Sequence, residues 1–349
     1  MSDRRKIRDA LAYDDVLLVP QYSDIESRAE VSLRSALDDN LELRLPIISS
    51  PMDTVTGSDM AAALVVLGGL PIVHRYNSPA EQAQTIIDAL KKADLISVPL
   101  IGAAIGVSGD FESRACMAYD AGARILCVDV AHGHHILVKR ALLRLREVFG
   151  LDIHLMAGNV ATLEGFNALS DWGADSVRCN IGSGSCCTTK VQTGHGIPGL
   201  QTILDCAISD RSARIIADGG IRSAGDIVKA LGAGADFVML GSMLAGTNEA
   251  LGETIATPDG AVSKVYRGMA SREAQEDWRG RASSLEGVAT SVPCRGPVEN
   301  IIDLAARGIR SGLSYSGARN IREFQAKAKF VRQTNAGQIE SAPHILLGT

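Results

Sequence analysis

Arg214-Ile215-Ile216-Ala217-Asp218-Gly219-Gly220 is a short apolar run that ends in a carboxylate and two glycines. A helical pattern, Ala224 to Leu231, follows it. Then comes a second run, Phe237-Val238-Met239-Leu240, again closed by a glycine and a polar residue, Gly241-Ser242. Apolar runs of this length without alternation are strands buried on both faces, as in parallel sheets. The same form recurs upstream at Pro46 to Ser49, Leu70 to His74, Leu100 to Ile105, Ile125 to Val130, Ile153 to Ala157 and Ser176 to Cys179. Periodic stretches lie between the runs: Ala80 to Lys92, Phe111 to Ala121, His135 to Phe149, Leu163 to Trp172 and Leu200 to Ser209. Eight strand–helix units are the count of a (β/α)8 TIM barrel. A doubly wound sheet is the competing arrangement, but it needs a glycine fingerprint after its first strand, and none stands there. The one GxGxxG match, Gly194 to Gly199, does not directly follow a strand and reads as a turn.

In such a barrel the strand C-terminal ends form the catalytic face. That places Asp53, His74, Asp129, Asn159, Asp218 and Gly241-Ser242 around one mouth. The loop after Ser176–Cys179 adds Gly182-Ser183-Gly184-Ser185-Cys186-Cys187-Thr188-Thr189-Lys190 to it. Glycines there let the backbone approach a ligand, and their amides suit an anion. A cysteine beside them is a nucleophile if its thiolate is stabilised. The bland alternative is a Gly/Ser turn with two buried cysteines.

Composition narrows the class. A chain of 349 residues, 46% hydrophobic, buries a sizeable core. Its net charge of −5 and scattered basic residues give no nucleic-acid surface. Apolar runs are strand-length, so no membrane span is expected, and Met1 to Lys6 has no apolar run behind it to make a signal peptide. Seven cysteines, an odd number without framework spacing, suit free thiols in a reducing cytoplasm. His132-Gly133-His134-His135 has no carboxylate or cysteine at ligand spacing, so a zinc site is not expected. His132 is expected to line a cofactor pocket, and His134 and His135 to open a helix. From Gly246 to Arg295 periodicity fades, which reads as a mobile flap before an eighth helix, Pro297 to Arg307. Thr334 to Thr349 reads as a tail or oligomer arm.

Taken with Ser50-Pro51-Met52-Asp53-Thr54-Val55, Ala157-Gly158-Asn159-Val160 and Tyr266-Arg267-Gly268-Met269-Ala270-Ser271, these motifs resemble the IMP dehydrogenase/GMP reductase family from about Tyr13 to Arg332. The resemblance implies a purine-nucleotide substrate and a nicotinamide cofactor. It makes Cys187 the nucleophile, with Cys186 a packing residue, and pairs Thr189 with Glu286 for proton transfer. Phosphate would fall to Ser185, Gly220, Gly241, Ser242 and Tyr266. Ribose would fall to Asp218, beside Gly219, and the base to Met52, Gly268, Met269, Ala270 and Ser271. The resemblance gives Asp129, Ala131, Asn159 and Arg178 to the cofactor. The carbonyls of Gly182, Gly184 and Cys187 match a potassium loop, and homotetramers are usual in the family.

The family often carries a pair of cystathionine-β-synthase-type modules where only Lys92 to Pro99 stands here. A single barrel domain spanning 1–349 is therefore expected. Dehydrogenases activate water with an Arg-Tyr pair on a long flap. Gly268 to Gly287 is short and has no such dipeptide, while Arg281-Ala282-Ser283 and Glu286-Gly287 resemble the reductase pattern. The implied activity is NADPH-dependent GMP reduction. Ser50 to Asp53 and Arg75, by contrast, look more like the dehydrogenase branch, so an IMP dehydrogenase without the modules is the alternative. A further one is an inactive nucleotide-binding barrel.

Overall fold

The computed structural model describes residues 7–93, 100–256, 260, 262–283 and 285–341. The joint at 94–99 and the end of the tail, 342–349, lie outside the described residues. Eight parallel strands close on themselves: β1 Ile47–Ser49, β2 Leu70–Val73, β3 Gly102–Ile105, β4 Ile125–Asp129, β5 His154–Val160, β6 Ser176–Cys179, β7 Arg214–Asp218 and β8 Phe237–Leu240. The ring closes where β8 pairs with β1, Val238 opposite Ile47. Around it run α1 Ser58–Leu67, α2 Pro79–Ala93, α3 Phe111–Asp120, α4 Ile136–Phe149, α5 Leu163–Asp171, α6 Gly199–Cys206, α7 Ala224–Gly232 and α8 Val298–Tyr315. This is the TIM barrel expected from the pattern. Among the described residues no helix is long and apolar enough to cross a membrane.

Two apolar layers hold it. Leu70, Ile72, Ile125, Met156, Ile216 and Phe237 fill the barrel interior, and the larger layer lies between strands and helices. A hairpin, Ser35–Ala36 with Glu42–Leu43, plugs the N-terminal mouth with Leu37 and Leu43. His154, at the start of β5, pins that plug. Its Nδ1 lies 2.7 Å from Asp38 Oδ2 and its Nε2 lies 2.8 Å from Ser176 Oγ. The line of Asp, His and Ser looks catalytic, but His154 and Ser176 are buried at the end of the barrel that governs stability.

The expected loop from Gly246 to Arg295 is instead a folded lobe. Strands Thr254–Ala256, Val262–Arg267 and Ala289–Pro293 form an antiparallel sheet, joined by a helix, Arg272–Arg279. Its two outer strands are largely exposed, so they lack the apolar runs of the barrel. The last barrel helix continues past Arg307 to Tyr315. The expected tail starts with a short helix, Asn335–Glu340. A strand at Phe330–Arg332 pairs with Val16–Leu18 and ties the two ends of the chain together.

Burial raises the Asp38 carboxyl, but bonds from His154 and the amides of Asn40 and Leu41 outweigh it and hold the group below its ordinary value. Its contribution to stability is therefore present above the unfolded pKa, about 3.9, and is lost as pH falls through the lower folded value. In urea titrations from neutral pH downward, Asp38→Asn should be less stable than the parent at neutral pH, and the gap should close in acid. A gap independent of pH would show that the Asp38 charge adds nothing.

Candidate active site

The C-terminal mouth opens into a cavity of about 370 Å³, a size suited to a small ligand. All the strands but β3 deliver residues to that mouth, and the cysteine loop after β6 shapes it most. The Cys187 amide donates to the Gly184 carbonyl at 3.0 Å, which tightens the turn. Beyond it the loop is clamped to a segment far along the chain. The Thr188 amide donates to the Glu286 carbonyl, and the Val288 amide donates to the Cys186 carbonyl, each at 3.0 Å. This bridge places the Glu286 side chain beside Thr189. Cys187 Sγ donates to Thr189 Oγ1 at 3.2 Å, and Thr189 Oγ1 donates to Glu286 Oε2 at 2.7 Å. Thiol, hydroxyl and carboxylate thus form one line across residues separated by 97 positions. Its neighbour Cys186 is 5% exposed, and burial pushes its thiol up. Burial lowers the Lys190 ammonium, and Cys187 opposes that shift, so the two are electrostatically coupled.

Opposite the loop lie the glycine turns of β7 and β8. Gly219 holds φ +95°, and a Cβ there would sit 3.2 Å from the Gly184 backbone. Only glycine lets these two turns approach so closely. At Gly241 a Cβ would stand 3.1 Å from the Tyr266 hydroxyl and 3.2 Å from Met52 Sδ. The Tyr266 hydroxyl lies 3.1 Å from Ser185 Oγ, and burial pushes that phenol up. Ser185, Gly220, Gly241, Ser242 and Tyr266 therefore share one corner of the cavity.

The third wall is charged. Arg178 Nη1 donates to Asp129 Oδ1 at 2.6 Å, while its Nε and Nη2 donate to Asp218 Oδ2 at 3.0 and 2.8 Å. Asn159 Nδ2 donates to the same Asp218 oxygen at 2.7 Å. Arg75 Nη2 adds a bond to the Asp129 carbonyl at 3.1 Å. Burial raises the Asp129 carboxyl, but Arg178 and Arg75 overcome that and hold it below the usual carboxylate range. Groups read separately as cofactor and ribose contacts are here one buried network.

The folded lobe covers the cavity. Trp278 stacks on Tyr76 with centroids 4.1 Å apart and planes 15° from parallel, and the Tyr76 hydroxyl donates to the Met269 carbonyl at 2.6 Å. Gly268, Met269 and Ala270 line the cavity. Ser271 does not: it is buried beneath the Arg272–Arg279 helix and caps it by accepting from the Ala274 amide. Asp53 and His74 also turn away. Asp53 is committed to Arg267 at 2.7 Å, and His74 Nδ1 accepts from the Tyr76 amide. Neither they nor His132 lines the cavity. His135 caps α4, as a residue opening that helix should, and among the described residues no cluster suits a metal. The structure adds Arg75, Tyr76, Asn180 and Gln275 to the lining. Arg75-Tyr76 follow β2 at the catalytic end, so the strand-end rule extends to them; nothing in the sequence marks Gln275.

The family model for the IMP dehydrogenase / GMP reductase domain matches residues 10–344. This chain belongs to that family. An inosine-5'-monophosphate dehydrogenase from Nitrosopumilus maritimus is 33% identical, across 98% of this chain and 99% of its own length. A GMP reductase from Leishmania donovani is 31% identical, across 96% of this chain and 97% of its own. Both alignments run past 470 positions, so each relative carries a long stretch with no counterpart in these 349 residues. The solved GMP reductase from Trypanosoma brucei, a cysteine-to-alanine variant in complex with guanosine 5'-monophosphate, superposes with a TM-score of 0.91 at 31% identity over 99% of each chain. The family makes the chain an oxidoreductase of purine metabolism that uses a nicotinamide cofactor.

Replacing Arg178 by Leu should cost about 3–5 kcal/mol of stability, because it strands two buried carboxylates. Urea unfolding at neutral pH measures it. The loss should shrink in acid, where Asp129 takes up a proton.

Proposed function

We propose that this chain is a GMP reductase, converting GMP, NADPH and two protons to IMP, NADP⁺ and ammonium. The line from Cys187 through Thr189 to Glu286 carries this reading. Purine C2 lies between two ring nitrogens and is electrophilic. The Cys187 sulfur adds there as its proton passes through the Thr189 hydroxyl to Glu286, and covalent addition splits one hard displacement into two easier ones. Glu286, through the Thr189 hydroxyl, delivers a proton to the 2-amino group. Ammonia leaves with the C–N bonding pair, and C2 stays bonded to sulfur and doubly bonded to a ring nitrogen. Bound NADPH would supply hydride to that carbon. Collapse of the resulting adduct returns the bonding pair to sulfur and frees IMP.

The remaining lining residues take binding roles. Ser185, Gly220, Gly241, Ser242 and Tyr266 suit the phosphate, with turn amides as donors. Asp218 Oδ2 is already engaged by Arg178 and Asn159, so ribose hydroxyls meet its other oxygen. Met52 and Gly268 to Ala270 flank the base, and Asp129, Ala131, Asn159 and Arg178 the nicotinamide. The chain works as one barrel domain without a nucleotide-sensing module.

Relatives of similar identity named IMP dehydrogenase favour a second reading, oxidation of IMP with NAD. Against it, Gly268 to Gly287 holds no Arg-Tyr pair to activate water, and Trp278 in that segment is engaged with Tyr76.

Product analysis separates the two. NADPH-dependent IMP and ammonia from GMP is the expected outcome; sustained XMP from IMP and NAD, with no GMP-dependent NADPH loss, would overturn it. Cys187→Ala should abolish turnover yet bind GMP, whereas Cys186→Ala keeps substantial activity. Glu286→Gln should slow ammonia release about 10²–10⁴-fold, with little change in GMP affinity.

A further inference from the structure

The family resemblance implies a monovalent cation held by the carbonyls of Gly182, Gly184 and Cys187, and this loop does not fit one well. The Gly184 carbonyl already accepts the Cys187 amide. The Lys190 side chain crosses the space beside Gly182: a Cβ there would meet its Cγ, Cε and Cδ at 2.6, 3.0 and 3.2 Å. The same stem fills the gap beside Gly196, where a Cβ would meet Cε and Cγ at 2.7 Å. Gly182 and Gly196 hold φ +86° and +151°, and neither could carry a side chain without displacing the lysine. The ammonium then donates to Ser183 Oγ at 3.1 Å, between the two glycines whose carbonyls a metal would need.

Lys190 has no carboxylate partner among the described residues, and it does not line the substrate cavity. A half-buried ammonium bonded only to a neutral hydroxyl is an unusual arrangement. Its charge is available to the carbonyl dipoles and the sulfur of the loop. An ammonium is a compact point charge with three donors, which suits it to that place.

We propose that Lys190 is the resident cation of the cysteine loop, threaded in from behind, and that the protein needs no alkali ion to hold Cys187 in position. Lys190 is a positioning residue, acting through the loop and not on the substrate. The inference rests on the reading of Cys187 as the reacting thiol, but one arm of its test does not.

The experiment compares potassium with N-methylglucamine at constant ionic strength. The parent protein should melt at the same temperature in both, because no potassium-binding equilibrium adds to folding. Its turnover should change by less than about twofold, whereas a bound activating cation would add a preorganised charge worth at least about tenfold. Lys190→Met keeps the stem and removes the charge. In N-methylglucamine it should lose turnover by about tenfold or more, and its melting temperature should rise with added potassium. Lys190→Arg should keep the parent's indifference to potassium. A parent protein that melts higher or turns over severalfold faster with potassium would overturn the proposal, as would Lys190→Met matching the parent in N-methylglucamine. If Lys190→Met fails to fold, the parent titration and Lys190→Arg still decide. The melting arm needs no substrate, so a wrong assignment of GMP would show as absent turnover and leave this arm readable.

Discussion

The short antiparallel bridge between the cysteine loop and residues 286–288 is the contact on which the rest of the site depends. Without it Cys187 is a thiol on a glycine-rich turn, and Glu286 is an acid in a lobe inserted between β8 and α8. Two backbone hydrogen bonds on either side of Cys187 fix the distance between them. The Thr189 hydroxyl fills the remaining gap, donating to the carboxylate while accepting from the thiol. The barrel supplies the loop, the lobe supplies the acid, and neither is a site alone. That division explains why the lobe must fold. Tyr76 against Trp278, and Arg267 on Asp53, dock it over the mouth.

A second constraint acts on the far wall. β4, β5, β6 and β7 are neighbours in the ring and carry Asp129, Asn159, Arg178 and Asp218 at or one residue before their C-terminal ends. Closing the barrel brings these side chains together. Two carboxylates this close would repel, and Arg178 between them offsets that while satisfying both. The result is a polar wall of the same cavity that Cys187 lines, tied together by its own hydrogen bonds. An ordered wall of this kind positions a ligand without reorganising when it arrives.

Most of the barrel was legible because its strands are buried on both faces and so read as unbroken apolar runs. Ser176–Cys179 and Phe237–Leu240 fall where the pattern places them. Gly308 and Gly312 hid the second half of α8, since glycine usually weakens a helix. Their reason is tertiary: a Cβ at Gly308 would meet Ala224 at 2.4 Å, and one at Gly312 would meet Val228 at 2.5 Å, so the glycines let α8 lie against α7. The lobe was illegible as structure because its outer strands are largely exposed and its central strand, Val262–Arg267, buries Ser263, Lys264 and Tyr266 in place of an apolar run. At the site, residue types at strand ends pointed to the cavity, but type alone cannot say which way a side chain turns. Asp53 and His74 stand at strand ends and face inward to the protein, whereas Arg75 and Tyr76, one step on, reach the cavity. Resemblance to a family located Glu286; no spacing rule links it to Cys187.

The central claim is that the sulfur at the end of this line bonds to the purine. Mixing the protein with GMP and oxidised cofactor, which cannot deliver hydride, should let the adduct accumulate after ammonia leaves. Acid quenching and tandem mass spectrometry of the peptide bearing Cys186 and Cys187 can then place the nucleotide. The nucleotide should sit on Cys187, at much reduced yield in Glu286→Gln. No adduct at all, or one on Cys186, would contradict it.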